Sequence, residues 1–166
     1  DGTREYSEVP RTDWAVHVAL VTDNRPVAGA VALPGLGLVL STADVPILAP
    51  TGTTPARMIV SRSRPPAAAT HVADLIGADL VQMGSAGAKA MAVVRGECEI
   101  YVHSGGQYEW DSCAPVAVAA AAGCHVSRLD GSELLYNQDD VYLPDLIVCR
   151  PELAESVLAA LTTFEG

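Results

Sequence analysis

The sequence predicts an α/β fold in which strands alternate with helices. From residue 57 onward, short Val- and Ile-rich runs alternate with Ala-rich segments that end at glycine, which is typical of strand and helix in turn. Before residue 50, apolar runs follow one another with only turn signals between them. The chain has 166 residues, of which 49% are hydrophobic and 18% charged, so it can bury a core and is neither disordered nor fibrous.

The first part of the chain predicts an antiparallel meander. The predicted strands are 13–21, 27–34 and 36–43. The segment TDNRP at 22–26 is a turn signal between the first two of them. The segment APTGTTP at 49–55 is typical of a linker. We therefore expect one domain over residues 1–50 and a second over residues 51–166.

The second part predicts the alternating α/β unit. Its predicted strands are 57–61, 79–84, 99–104, 124–129 and 145–149, and its predicted helices are 66–77, 85–96, 113–123 and 151–161. Glycines 77, 96 and 123 can end three of these helices in a left-handed conformation. Pro151 stands at the first position of the last helix, where proline is favoured.

Charge and cysteine content exclude several classes of function. A net charge of −10 argues against binding to a nucleic-acid polymer. It is compatible with a small anionic substrate, provided that cations held by carboxylates reverse the local charge. The four cysteines form no CxxC pair and predict buried, reduced thiols. The run 26–47 is broken by glycine and proline, so no membrane helix is predicted, and we expect a cytoplasmic protein.

Asp111, in the segment WDSCAP, stands at the start of a predicted helix. It is either the N-cap of that helix or a carboxylate free for function. If Asp111 were the cap, Pro115 would be the fourth helical residue, where an N–H group is needed. If Ser112 is the cap, Pro115 falls in the first turn and loses nothing. The sequence therefore favours Ser112 as the cap, with capping by Asp111 as the alternative.

The segment Asp1-Gly2-Thr3 places a carboxylate before backbone N–H groups that open a short helix. Such N–H groups suit a phosphate. A carboxylate beside a phosphate requires a cation between them, and oxygen ligands suit Mg²⁺. A D-G-T turn is common, so this signal is weak by itself.

Two more segments follow predicted strands at the carboxyl end, where ligands bind in α/β sheets. Gly84 and Ser85 open the helix that carries Lys89, the chain's only lysine. The alternatives are a helix start with small residues for packing and a solvated surface lysine. The segment Ser61 to Arg64 (SRSR) also ends a predicted strand, where it could bind a ligand. The alternative is a basic turn exposed to solvent.

Three motifs in order, DGT, then GSA…K, then WD-x-x-AP-x-AV, resemble the inositol monophosphatase superfamily of lithium-sensitive, magnesium-dependent phosphatases. Its first motif normally reads D-P-[IL]-D-G-T and its second W-D-x-[AG]-[AG]. The resemblance covers the whole chain, but the family carries a further segment before DGT, with a Glu and an Asp that bind metal. We therefore expect these residues to be part of a longer polypeptide.

The resemblance implies the later part of a layered αβαβα sugar-phosphatase fold. Residues 1–50 would be the remainder of an N-terminal α+β metal-binding domain, and residues 51–166 a C-terminal substrate-binding domain. Within the superfamily, Lys89 and the SRS segment are most similar to the 3′-phosphoadenosine 5′-phosphate (PAP) phosphatases, the CysQ-like branch. Arg64 departs from the histidine of that branch. His103 falls near the acidic residue that holds inositol hydroxyls in monophosphatases, and suits an anionic substrate better.

The implied activity is hydrolysis of the 3′-phosphate of PAP to AMP by a water activated by Mg²⁺, with two or three ions. Asp1 and Asp111 would bind metal, Thr3 would hydrogen-bond the attacking water, and the N–H groups of Gly2 and Thr3 would hold the phosphate. The residues implied to bind substrate are Ser61, Ser63, Arg64, Gly84, Ser85, Lys89 and His103. The alternatives are an inositol monophosphatase, a fructose-1,6-bisphosphatase or a non-catalytic nucleotide-binding module. The family also implies a homodimer.

Overall fold

The computed structural model describes residues 1–48, 50 and 54–165. The helices are α1 (Thr3–Ser7), α2 (Ala67–Ile76), α3 (Ala86–Val94), α4 (Glu109–Ala121) and α5 (Ala154–Leu161). The strands are β1 (Val16–Thr22), β2 (Arg25–Leu33), β3 (Leu38–Ser41), β4 (Arg57–Ser61), β5 (Asp79–Met83), β6 (Ile100–Ser104), β7 (His125–Ser127) and β8 (Asp145–Cys149). Most of the linker predicted at 49–55, and the domain boundary placed in it, lie outside the described residues.

The first sheet has the order β1-β2-β3 and is antiparallel throughout, so the predicted meander is confirmed. Its first turn is formed by Asp23 and Asn24, with φ of 51° and 61°. Two consecutive left-handed residues are what a tight hairpin turn requires, and Asp and Asn tolerate this conformation.

The second sheet has the order β5-β4-β6-β8-β7. Strand β4 pairs in parallel with β5 and β6, whereas β8 runs antiparallel to β6 and β7. The carboxyl ends of the three parallel strands therefore lie at one edge of the sheet, at Ser61, Met83 and Ser104. The predicted mixed-sheet α/β unit is confirmed, and its strands are close to the predicted ranges.

Side chains that alternate along β4 bury both faces of the second sheet. Ile59 belongs to a core shared with α3, α4 and the first sheet, while Met58 and Val60 belong to a core shared with α2 and α5. Strand β2 approaches α4 so closely that a Cβ on Gly29 would lie 2.8 Å from the Cβ of Ala117. The layers are thus sheet, helices, sheet, helices, which matches the last four layers of the expected αβαβα order.

The predicted start of α4 was wrong. The helix begins at Glu109, four residues earlier than expected, and Ser112 is not its cap but a buried residue whose Oγ lies 3.2 Å from Tyr136 Oη. Pro115 lies inside the helix, so the carbonyl of Asp111 has no helical N–H donor. The prediction failed because it assumed that Pro115 must stand in the first turn.

The four cysteines are buried and none forms a disulfide. Burial raises the pKa of the Cys113 and Cys124 thiols to about 11, which keeps them protonated near neutral pH. In the part of the chain that the structure describes, no helix has both the length and the apolar character needed to cross a bilayer.

Candidate active site

A cleft of about 450 Å³ opens at the carboxyl edge of the parallel strands. Nearly all residues that the sequence singled out line it. They are Asp1, Gly2, Thr3, Ser61, Ser63, Gly84, Ser85, Lys89, His103 and Asp111. Arg64 is exposed and is not among the lining residues. Residues up to 110 positions apart in the sequence, Asp1 and Asp111, therefore line one cavity.

The carboxylate of Asp1 is anchored on the first turn of α3. Its Oδ2 accepts hydrogen bonds from the Ser85 hydroxyl and from the Gly87 N–H at 2.8 Å. Ser85 is the N-cap of α3, and its Oγ also accepts the Ala88 N–H at 3.1 Å. A carboxylate is favoured at a helix N-terminus by the exposed N–H groups and the helix dipole. Ser85 thus orients Asp1, a contact that the sequence did not predict.

His17 is a second residue at Asp1 that the sequence analysis missed. Its Nε2 lies 3.7 Å from Asp1 Oδ2, and its Nδ1 donates to the Trp110 carbonyl at 3.2 Å. Burial lowers the pKa of this histidine. A Cβ on Gly87 would lie 2.0 Å from Nε2, so the imidazole needs glycine at that position. The sequence did not indicate a role for His17, because this residue stands within an apolar strand.

Asp111 is the third residue of α4 and both caps the helix and lines the cleft. Its Oδ2 accepts the Tyr108 N–H at 3.0 Å, which completes a capping box, so Tyr108 is the N-cap and the alternative of Asp111 as the N-cap residue is wrong as well. The helix N-terminus stabilises the negative charge. Capping and a functional role are therefore compatible at Asp111, because a carboxylate has two oxygens.

Lys89 is 5% exposed, so its alternative as a solvated surface lysine is wrong. Burial lowers its pKa to about 8, and the carboxylates of Glu5 and Asp13 partly oppose that shift. Its Nζ lies 5.3 Å from the centre of the Tyr101 ring, within the range of a cation–π contact. Lys89 therefore lines the cleft, and its ammonium makes a cation–π contact with Tyr101.

His103 is neutral near physiological pH. Burial, with the nearby charge of Lys89, lowers its pKa to about 4. Its Nε2 donates to the Gly105 carbonyl at 2.8 Å, which leaves Nδ1 as an acceptor, buried and without a partner among the described residues. A neutral imidazole does not repel an anion, but it adds no positive charge to attract one.

A charged network in the wall of the cleft, which Arg62 lines, was also missed. Arg62 Nη2 donates to Asp13 Oδ2 at 2.6 Å, and the same oxygen accepts the Gly84 N–H at 2.7 Å. Burial raises the pKa of Asp13, but these two hydrogen bonds outweigh burial, and the pKa is lowered overall. The signal was available in the SRSR segment, where only the serines and Arg64 were considered.

The donor atoms suit Mg²⁺ as part of a coordination shell. The carboxylates of Asp1 and Asp111 line the same cleft, and both offer oxygen. Within residues 1–48, 50 and 54–165, no group of three or more His, Cys, Asp or Glu side chains could hold a metal. Mg²⁺ is commonly bound by one or two carboxylates together with waters and substrate phosphates, so two carboxylates fit it.

Known proteins resemble this chain over almost its whole length. Residues 1–164 match the inositol monophosphatase family. The 3′-phosphoadenosine 5′-phosphate phosphatase of Mycobacterium bovis is 48% identical over 172 aligned residues, which cover 97% of this chain and 63% of that protein. The Mycobacterium leprae protein of the same name is 49% identical over 97% of this chain and 64% of its own length. This chain therefore spans less than two thirds of those relatives.

Solved structures show the same fold. An inositol monophosphatase from Zymomonas mobilis matches with a TM-score of 0.79 at 22% identity, covering 98% of this chain and 67% of the other. CysQ from Bacteroides thetaiotaomicron matches with a TM-score of 0.74 at 24% identity, covering 90% of this chain and 67% of the other. The family match over residues 1–164 and the mycobacterial relatives confirm the resemblance, and the chain belongs to the inositol monophosphatase family.

Proposed function

We propose that this chain is the later part of a Mg²⁺-dependent phosphatase that hydrolyses the 3′-phosphate of PAP, giving AMP and phosphate. The observation that carries the proposal is the single cleft in which Asp1, Thr3 and Asp111 meet the buried Lys89. The names of the mycobacterial relatives support the choice of substrate.

Asp1 and Asp111 would hold the metal. Bound Mg²⁺ neutralises phosphate charge and makes a water more acidic. Asp1 is prepared for this role, because Ser85 and the Gly87 N–H fix its Oδ2. Asp111 is prepared in the same way by the Tyr108 N–H. Two or three ions is the number that the family resemblance implies.

Gly2 and Thr3 would hold the phosphate that is cleaved. Gly2 has a φ of 79°, a left-handed conformation that glycine adopts without strain, and it precedes the first helical residue, Thr3. Both residues line the cleft, and backbone N–H groups at the start of a helix suit phosphate oxygens. The Thr3 hydroxyl would orient the attacking water through a hydrogen bond.

Lys89 would bind the phosphate that is retained, and take no part in cleavage. The ammonium is buried in the wall of the cleft, where charge–charge attraction is screened less than in water. PAP carries a second phosphate, whereas inositol-1-phosphate carries only the one that is cleaved. Lys89 is therefore the residue that favours PAP over an inositol phosphate.

The test is phosphate release by the full-length protein from PAP, inositol-1-phosphate and fructose-1,6-bisphosphate, with and without Mg²⁺ and Li⁺. We expect PAP to give the highest kcat/KM, to require Mg²⁺ and to be inhibited by Li⁺. A higher kcat/KM for either sugar phosphate would support those activities instead. Binding of PAP without phosphate release would support a non-catalytic nucleotide-binding module. A cytoplasmic location and a homodimer stay predictions.

A further inference from the structure

We propose that Asp13 is a positioning residue that holds both substrate loops of the cleft in place through Arg62 and Gly84. The first loop is residues 61–64, which begins at the last residue of β4, and the second is residues 84–85, which precedes α3. The inference concerns the site of the proposed phosphatase and so rests on that function. Asp13 does not line the cleft itself, so it would act through the residues it holds.

A single oxygen of Asp13 joins three segments of the chain. Asp13 Oδ2 accepts the Arg62 guanidinium at 2.6 Å and the Gly84 N–H at 2.7 Å. Asp13 stands three residues before β1 of the first sheet, whereas Arg62 and Gly84 follow β4 and β5 of the second. The loops are also tied to each other, because Arg62 N–H donates to the Met83 carbonyl at 3.3 Å.

A second carboxylate completes the arrangement. Glu5 Oε1 lies 3.6 Å from Arg62 Nη1 and 3.7 Å from Arg11 Nη1. A Cβ on Gly84 would lie 2.2 Å from the Glu5 carboxyl carbon, so Glu5 lies directly against the Gly84 backbone. Arg62 therefore sits between two carboxylates, and one of them belongs to α1, the helix that begins at Thr3.

This geometry connects the loops to the reacting end of the cleft. Ser61, Ser63 and Ser85 line the same cavity as Gly2 and Thr3. Ser85 lies next to Gly2, since a Cβ on that glycine would come within 2.9 Å of the Ser85 Cβ. Arg62, held by Asp13, stands between Ser61 and Ser63 in the chain. A shift of about 1 Å in substrate-positioning groups can cost on the order of a hundredfold in rate. The ion pair is partly buried, since the side chains of Asp13 and Arg62 are 12% and 35% exposed to solvent.

The chain offers a matched control in Glu99. Its Oε2 accepts the Arg57 N–H at 2.7 Å and its Oε1 accepts Arg57 Nη2 at 2.7 Å, so it too combines an arginine with a backbone N–H. Glu99 and Arg57 lie at the amino ends of β6 and β4, the edge of the sheet opposite the cleft. Glu99→Gln therefore disturbs the same kind of contact without touching the loops.

The experiment compares Asp13→Asn, Asp13→Glu and Glu99→Gln in the full-length protein. We expect Asp13→Asn to raise KM for PAP by roughly tenfold, the scale of one hydrogen bond to a charged group, with a smaller change in kcat. Amide hydrogen exchange should accelerate at residues 62–64 and 84–85. Asp13→Glu should restore part of both effects. Glu99→Gln should lower the melting temperature but leave KM and exchange of the loops unchanged.

Equal changes in KM for Asp13→Asn and Glu99→Gln, or unchanged exchange in the two loops of Asp13→Asn, would overturn the inference. If Asp13→Asn does not fold, Arg62→Lys takes its place with the same expectations, because lysine keeps the charge but not the forked geometry. If the wild-type protein does not hydrolyse PAP, the proposed function fails. The exchange measurement still decides the role of Asp13 in that case.

Discussion

Asp111 stabilises the start of α4 and also lines the cleft. Because its Oδ2 accepts the Tyr108 N–H, Asp111→Asn keeps an acceptor for the cap but loses the charge. We expect this variant to fold normally and to lose more than about 100-fold in phosphatase activity, since changes to outer partners of metal sites already cost about 10–100-fold. Phosphate release and thermal unfolding measure the two effects.

The control for this prediction is Asp111→Ala, which removes both the charge and the cap. Its activity should equal that of Asp111→Asn, while its free energy of unfolding should fall by about 1 kcal/mol more, as expected for a lost cap. Full activity per folded molecule in both variants would mean that Asp111 only caps α4.

Lys89 gives a prediction with a defined pH dependence. Because burial lowers its pKa to about 8, the ammonium is present below that pH and is lost above it. The ratio of kcat/KM for PAP to kcat/KM for 3′-AMP, which lacks the second phosphate, should therefore fall as the pH rises through 8. Lys89→Ala should lower kcat/KM for PAP by roughly ten- to hundredfold and change that for 3′-AMP little.

Lys89→Arg is the matched control, because arginine stays charged over the whole range. Its substrate ratio should be flat between about pH 7 and about pH 9, the range in which Lys89 of the wild type titrates, whatever the absolute value of the ratio. A ratio that falls equally in wild type and Lys89→Arg would assign the pH effect to another group.

Single residues were predictable from the sequence where their chemistry is unusual for their place. Lys89 stood out as the only lysine, and Asp111 as an acid beside a helix start. His17 did not, because its role depends on Gly87 and Trp110, which lie far along the chain. Arg64 was chosen over Arg62 by analogy, and only the fold shows that Arg62 points inward to Asp13.

At the scale of elements, the first turn of α3 is the support for Asp1. A Cβ at residue 87 would meet the His17 ring at 2.0–2.7 Å, while the N–H of residue 87 holds Asp1. We expect Gly87→Ala to lower the free energy of unfolding by about 1–3 kcal/mol, the usual cost of overpacking, and to reduce activity by displacing Asp1. Urea unfolding and phosphate release test it.

The control is the double variant His17→Ala/Gly87→Ala, in which the space taken by the ring is free. If the clash is the cause, the double variant should be more stable than the sum of the two single effects predicts. Additive effects would show that Gly87→Ala acts in some other way.

Helix boundaries were predicted well where glycine follows the helix and poorly at the start of α4. Gly77 follows α2 in a left-handed conformation with φ of 68°, and the prediction there was correct. At α4 the prediction was wrong, because tertiary contacts of Ser112 and Tyr136 and the cap at Asp111 outweigh the local cost of Pro115.

At the scale of the whole molecule, the sequence predicted the α/β class because alternation of strand and helix is a local pattern. The cleft is not local. It forms because β5, β4 and β6 run parallel and bring three loops to one edge of the sheet. In addition, the Gly87 N–H at the start of α3 donates a hydrogen bond to Asp1, at the start of the chain. The family motifs indicated which residues meet there, but not the Asp13–Arg62 contact that joins the two sheets.

The whole molecule should also lose stability in two steps as the pH falls. Burial lowers the pKa of His103 from 6.5 to about 4, so between these values the unfolded chain binds a proton that the folded chain does not, and stability falls as the pH decreases. At pH 4 the loss is on the order of 3 kcal/mol. Below the ordinary carboxyl pKa of 3.8, Asp13 and Asp145 add a second loss, because their folded pKa values are lowered.

His103→Gln tests the first step, since glutamine keeps a donor for the Gly105 carbonyl but does not titrate. Melting temperatures measured from pH 7 to pH 4 should fall less steeply in this variant than in wild type. His125→Gln is the control: burial also lowers the pKa of His125, but by less, so its curve should stay closer to wild type. Parallel curves for wild type and His103→Gln would show that folding does not lower the pKa of His103.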